Sequence, residues 1–96
     1  MDLTWIDHLD PSEEIMLLEP RATFDRAIVG LVQQFSSTFV LYSRSKVLAA
    51  LVEVDAMTPE EADEWWSYNM AGAWVGRGTP AFLLDGAYPT DIGVAR

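Results

Sequence analysis

Met57-Thr58-Pro59-Glu60-Glu61-Ala62-Asp63-Glu64-Trp65-Trp66-Ser67-Tyr68-Asn69-Met70-Ala71-Gly72-Ala73-Trp74-Val75-Gly76-Arg77-Gly78-Thr79-Pro80 is the stretch from which the fold is read. Thr58 at the N-cap, Pro59 at the first helical position and Glu61 two residues later form a capping box, so a helix is expected to start here. Ala62, Trp66, Met70, Ala73 and Trp74 make one apolar stripe, with Trp65 beside it. Gly76 and Gly78 mark the expected stop, and Thr79-Pro80 turns the chain elsewhere.

Working outward, Ser43 is expected to cap a preceding helix running to about Val54. Its apolar face is Val47, Leu48, Leu51 and Val52, and Arg44, Lys46 and Glu53 are expected to face water. Thr38 to Tyr42 is short, β-branched and aromatic, which predicts a strand. Phe24, Ile28, Leu31 and Phe35 recur at helical spacing, so Thr23 to Phe35 reads as a helix, with Gly30 admitted by close packing. Ile15 to Leu18, an apolar run stopped by Pro20, and Ala81 to Leu84, followed by the turn pair Asp85-Gly86, read as two more strands. The fold class expected is a small α/β domain, with α+β as the alternative: about three short strands and three helices packed on the sheet. The first two strands, joined by a helix, would be parallel. Residues 1–14 are expected to form a loop or short helix, 15–85 the compact domain and 86–96 a tail.

The chain has 96 residues, no Cys, and 15 acidic against 6 basic residues, a formal charge of -9. The charge argues against binding nucleic acid directly and against docking on anionic membranes; it favours a basic protein partner. The lack of Cys excludes disulfides, thiolate catalysis and Cys-ligated metals. The opening residues lack a basic segment followed by an apolar core, so no signal peptide is expected, and no run is long enough for a membrane span. The expected location is the cytoplasm. No Walker loop, dinucleotide glycine fingerprint or His-Glu-x-x-His is present. No cofactor, metal or catalytic group is expected.

Three groups of residues remain as candidate sites. Glu53, Asp55, Glu60, Glu61, Asp63 and Glu64 place six acids within twelve residues. They make a docking surface for a basic groove or, more plainly, a solvated helix start, where acids are favoured anyway. Trp65, Tyr68, Asn69, Gly72, Trp74, Arg77 and Thr79 could supply binding anchors or a small polar pocket. The plainer reading makes the aromatics core, the Asn a loop partner and Gly72 a point of close approach. Asp7-His8-Leu9-Asp10 has acid-base residue types, but a lone His in a polar segment is most simply solvated. Self-association through Trp65, Trp66 and Trp74, as a homodimer or a structural assembly, is the first alternative to heterologous binding, and a small ligand-binding domain using Tyr68-Asn69 and Arg77 to Thr79 is the second.

Several blocks carry a resemblance. They are Leu17-Leu18-Glu19-Pro20-Arg21-Ala22-Thr23-Phe24-Asp25, Ala27-Ile28-Val29-Gly30, Tyr42-Ser43-Arg44-Ser45-Lys46-Val47, Met57-Thr58-Pro59-Glu60-Glu61-Ala62, Tyr68-Asn69-Met70-Ala71-Gly72-Ala73-Trp74-Val75-Gly76 and Thr79-Pro80. Over residues 15–84, about three quarters of the chain, the sequence resembles a group of small uncharacterised proteins encoded by tailed phages and prophages. Arg77 departs from that group, where an acid is expected. The resemblance implies a setting, the cytoplasm of a phage-infected bacterium, and no catalytic residues. The expectation it supports is an inhibitor of a host protein, with anti-defence action of the anti-CRISPR kind as its sharpest form.

Overall fold

The computed structural model describes Trp5, residues 15–73, Gly76 and residues 78–86. The expected tail and most of the expected N-terminal segment therefore lie outside the described residues. The elements are α1 (Arg21–Phe24), a 3-10 turn (Asp25–Ala27), β1 (Ile28–Gln34), β2 (Ser37–Ser43), α2 (Arg44–Asp55), α3 (Pro59–Asn69) and β3 (Ala81–Leu83). The three strands make one mixed sheet in the order β1-β2-β3, and with three helices among the described residues the fold is small α+β.

The sharpest departure from expectation is residues 23–35, which are not one helix. Only Arg21–Phe24 is α-helical; from Ile28 the chain is a strand, paired antiparallel with β2 through a two-residue turn at Phe35-Ser36. Phe24 and Ile28 are buried as the stripe required, but Leu31 and Phe35 are exposed. The β-branched Ile28, Val29 and Val32 lose side-chain freedom in a helix and gain cross-strand neighbours in a sheet. Gly30 does not mark close packing, because a Cβ there would meet nothing within 4 Å.

Ile15 to Leu18 forms no ladder. It is held by Met16 N–H donating to the Gly78 carbonyl (3.2 Å) and Leu18 N–H donating to the Tyr42 hydroxyl (2.8 Å). Both edges of β2 are already taken, by β1 and β3, so this run cannot be the parallel neighbour of β2 that was expected. The parallel pair is accordingly β2 with β3, connected through α2 and α3, while the first hairpin is antiparallel.

Local chemistry sets both long helices. The Ser43 hydroxyl accepts from Lys46 N–H at the start of α2 (3.2 Å). At α3, Thr58 and Glu61 satisfy each other's backbone N–H groups at 2.9 and 3.1 Å. Between them the chain reverses at Ala56, which has φ 58 and ψ 31, a left-handed conformation that disfavours a Cβ. The α3 helix stops at Asn69, short of Gly76. The Asn69 amide donates back to the Trp65 carbonyl, and the Met70 and Ala71 N–H groups both close on the Trp66 carbonyl. Gly72 is exposed with open space where a Cβ would stand, so it too is not a close-approach residue.

Phe24, Ala27, Ile28, Val40, Tyr42, Val47, Leu51, Ala62, Trp66 and Met70 form the core. From α3 and its C-cap it takes Ala62, Trp66 and Met70 of the expected stripe; Ala73 is exposed and Trp74 lies outside the described residues. Arg44 contradicts the expectation that it faces water. It is buried, with its guanidinium 4.8 Å from the Trp66 ring centroid and ion-paired to Asp63. A planar guanidinium can lie on an aromatic face while its edge meets a carboxylate. Trp66 also meets Phe82 edge-on at 5.5 Å.

A second tie joins the end of β3 to the start of α2. Asp85 accepts from the Ser45 N–H (3.0 Å), the Ser43 hydroxyl (2.7 Å) and the Ser45 hydroxyl (3.1 Å). It thus caps α2 from forty residues away in sequence. Gly86 follows with φ 78, and a Cβ there would stand 3.0 Å from that of Ser45.

Candidate functional site

The α2–Ala56–α3 corner brings the C-terminal end of one helix to the N-terminal end of the next, and with them all six acids of the sequence patch. Helix capping and ion pairing account for four of the six. Glu61 belongs to the capping box, and Glu60 lies in the first turn of α3, where the helix field favours it. Glu53 pairs with Arg26 and Asp63 with Arg44. Asp55 and Glu64 are explained by neither. Asp55 is the last residue of α2, where a carboxylate opposes the helix dipole by about 0.3–1 kcal/mol. Asp55, Glu60 and Glu64 are exposed and make no ion pair among the described residues.

Arg21, Arg26 and Arg44 are each held by an acid, Asp25, Glu53 and Asp63. Among the described residues that leaves Lys46 as the cation without a salt bridge. The field at the α2–α3 corner is therefore negative, carried chiefly by Asp55, Glu60, Glu61 and Glu64, of which Glu61 is also held by the capping box.

Beside these acids a shallow, open depression of about 410 Å³ is lined by Met57, Glu61, Glu64, Trp65, Tyr68 and Asn69. Tyr68 stands 83% exposed on its rim. Trp65 is half-buried and stacks on Phe24 with ring centroids 6.3 Å apart. Trp66 is a core residue, and Trp74 and Arg77 lie outside the described residues. Two of the three Trp side chains expected to drive self-association are thus engaged within the fold.

The expected polar pocket at the end of α3 takes a different form. A cavity of about 190 Å³ does lie there, between Leu18, Asn69, Met70, Ala73, Thr79, Pro80 and Phe82. Its lining is mostly apolar and contains no titratable side chain. Asn69 bonds the Trp65 carbonyl and the Thr79 hydroxyl donates to the Gly76 carbonyl at 2.7 Å, so both polar side chains serve the local backbone. Tyr68 is not among the residues that line it.

The two groups whose titration the fold perturbs, Tyr42 and Asp85, line neither depression. Burial pushes the Tyr42 phenol up, against the bond from Leu18 N–H. For Asp85, burial raises the carboxyl, but the bonds from Ser45 N–H and the Ser43 and Ser45 hydroxyls outweigh it and hold it below 3.8. Both groups act in structural ties. Among the described residues no three His, Cys, Asp or Glu side chains are grouped to hold a metal, and the Asp7-His8-Asp10 fragment lies outside those residues. No helix among them is long and apolar enough to cross a membrane.

Compared with known proteins, the chain matches no family model, no curated protein and no solved structure.

Sequence reasoning missed Asp85 as a helix cap and Phe35 as an exposed side chain. No local signal marked the first, because every helix start leaves N–H groups to satisfy and Asp85 lies forty residues from Ser45. The signal for the second was Ser36-Ser37 between two β-branched runs, a hairpin pattern.

Proposed function

We propose that this chain is a small acidic binding protein whose α2–α3 corner docks on the basic surface of another protein. The observation that carries this reading is the exposed set Asp55, Glu60 and Glu64, unpaired among the described residues, beside the rim of Met57, Trp65 and Tyr68. Free carboxylates around a partly apolar depression give long-range attraction plus a contact surface that excludes water. Asp63, paired to Arg44, ties α3 to α2, and Glu53 is paired to Arg26 on the 3-10 turn, so both contribute less to docking.

The resemblance to phage-encoded proteins sets this activity in the cytoplasm of an infected bacterium. The partner we propose there is a host protein with a basic nucleic-acid-binding groove, such as a CRISPR effector, which an acidic protein inhibits by occupying the groove. The protein acts by binding and catalyses no reaction.

The experiment is capture of host proteins by the tagged chain at low and high salt, repeated with Asp55→Lys, Glu60→Lys and Glu64→Lys combined. One abundant partner is expected, weakened by salt, with association slowed on the order of 10- to 1,000-fold by the triple reversal. A partner retained by the triple variant with unchanged affinity refutes docking through this corner.

A further inference from the structure

The edge of the sheet opposite β3 is unlike the rest of this surface. From Ala27 to Ser43 the chain carries no charged side chain, although its net charge is -9. β1 is the outer strand there, seven residues long, whereas β3 at the other edge has three. Exposed edges are usually protected by Lys, Pro or a bulge. β1 has neither Lys nor Pro, and its bulge, at Val29, leaves Gly30 to Gln34 in regular register.

The turn fixes which backbone groups face outward. Gln34 and Ser37 flank a two-residue connection and so exchange hydrogen bonds, as do Val32 with Phe39 and Gly30 with Leu41 by alternation. Leu31 and Gln33 therefore point their N–H and C=O groups away from β2, and no backbone bond reaches them among the described residues. Leu31 lies opposite Val40, on the face that buries Val40 completely, yet it is 45% exposed. At the tip, Phe35 is 94% exposed and has φ 57. A bulky residue in that conformation is strained, and its exposure adds nothing to the core.

We infer that β1 is a self-association edge, on which a second copy of this chain pairs antiparallel about a two-fold axis at Val32. Leu31 of each copy then exchanges backbone hydrogen bonds with Gln33 of the other, and two three-stranded sheets become one. The outward groups at 31 and 33 are symmetric about 32, so the edge is its own complement, as an isologous contact requires. Two copies of an acidic chain repel least along a charge-free edge, while a basic partner finds no carboxylate there. A folded strand also avoids the ordering entropy that a free peptide loses on strand addition. Leu31 and Phe35 supply the apolar contact. The interface is small, so its dissociation constant is on the order of micromolar.

The test is sedimentation of the full chain from low to high micromolar concentration at two salt concentrations, with amide exchange measured at Leu31 and Gln33. A dimer strengthened by salt is expected, since screening removes repulsion between the copies. Protection of those two amides should rise about tenfold or more with dimer formation. Leu31→Lys should be monomeric with an unchanged far-ultraviolet circular dichroism spectrum, and Phe35→Asn, which suits the left-handed tip, should weaken the dimer without loss of fold. A monomer under all conditions overturns the inference. So does a dimer whose Leu31 and Gln33 amides exchange at concentration-independent rates, or one dissociated by Tyr68→Ala. Protection of the two amides only on adding another protein would assign the edge to a different occupant and likewise overturn it.

Discussion

Replacing Asp85 tests whether a residue remote in sequence caps α2. Its carboxylate accepts from Ser45 N–H at 3.0 Å and from the Ser43 and Ser45 hydroxyls at 2.7 and 3.1 Å. A hydrogen bond to a charged acceptor contributes about 1.5–3 kcal/mol, and a carboxylate at a helix start about 0.3–1 kcal/mol. The two hydroxyls can turn to water once the carboxylate is gone, so they add little. Asp85→Ala is therefore expected to lose roughly 2–3 kcal/mol, which for a domain of this size lowers Tm by roughly 10–20 °C. Asp85→Asn keeps an oxygen for Ser45 N–H and should lose about half as much.

The pH dependence supplies a second check. The folded carboxyl lies below its unfolded value of 3.8, so the stabilisation is present above that value and is lost as pH falls through the folded one. Urea unfolding followed by Trp fluorescence, at neutral pH and in acid, should show the gap between wild type and Asp85→Asn closing in acid. Taking the difference between the two proteins cancels the other carboxylates. A gap below about 0.5 kcal/mol at neutral pH, within the range of ordinary surface substitutions, would refute the capping role. A gap that stays constant down to acid would refute the charge argument.

Two further perturbations follow from the same ties. Asp63→Ala should destabilise by about 1–3 kcal/mol, where an ordinary surface carboxylate would contribute next to nothing, because it removes a carboxylate from the buried Arg44 guanidinium; unfolding in denaturant measures this, and a change within error would mean that Arg44 does not depend on Asp63. Ala56→Gly should raise stability by about 0.5–1 kcal/mol, since φ 58 strains a Cβ by about 1–2 kcal/mol and the greater freedom of unfolded Gly offsets part of the relief; a fall in Tm would show that Ala56 is not strained.

Much of the helical half was legible because its signals are local. Ser43 and Thr58-Pro59-Glu61 set the helix starts through groups within three residues of each other, and the buried Ala62, Trp66 and Met70 follow from one period. Ala81 to Leu83 and Thr38 to Tyr42 were legible as strands for a similar reason, since short β-branched and aromatic runs bounded by turn residues have few alternatives. The acidic corner was legible as composition. Which of its acids are free was not, because Arg26 and Arg44 reach Glu53 and Asp63 only after the chain folds.

Residues 23–35 show where local reading ends. Phe24, Ile28, Leu31 and Phe35 satisfy a helical period, and nothing within the segment rules a helix out. What decides against it is β2, whose inner edge pairs with Ile28–Gln34 across Phe35-Ser36. Pairing is a property of two segments, so neither contains it alone. The same holds for Ile15 to Leu18, a run with strand character that joins no ladder because β1 and β3 occupy β2, and for Arg44, buried by a ring and a carboxylate on the next helix. The sequence by itself determined where α2 and α3 start, the buried Ala62, Trp66 and Met70, and the excess of negative charge, because each depends on neighbours along the chain. Only the tertiary structure decided the hairpin, the parallel β2–β3 pairing, the Asp85 cap and the β1 edge left unpaired among the described residues, because each depends on which surfaces remain once the others have paired.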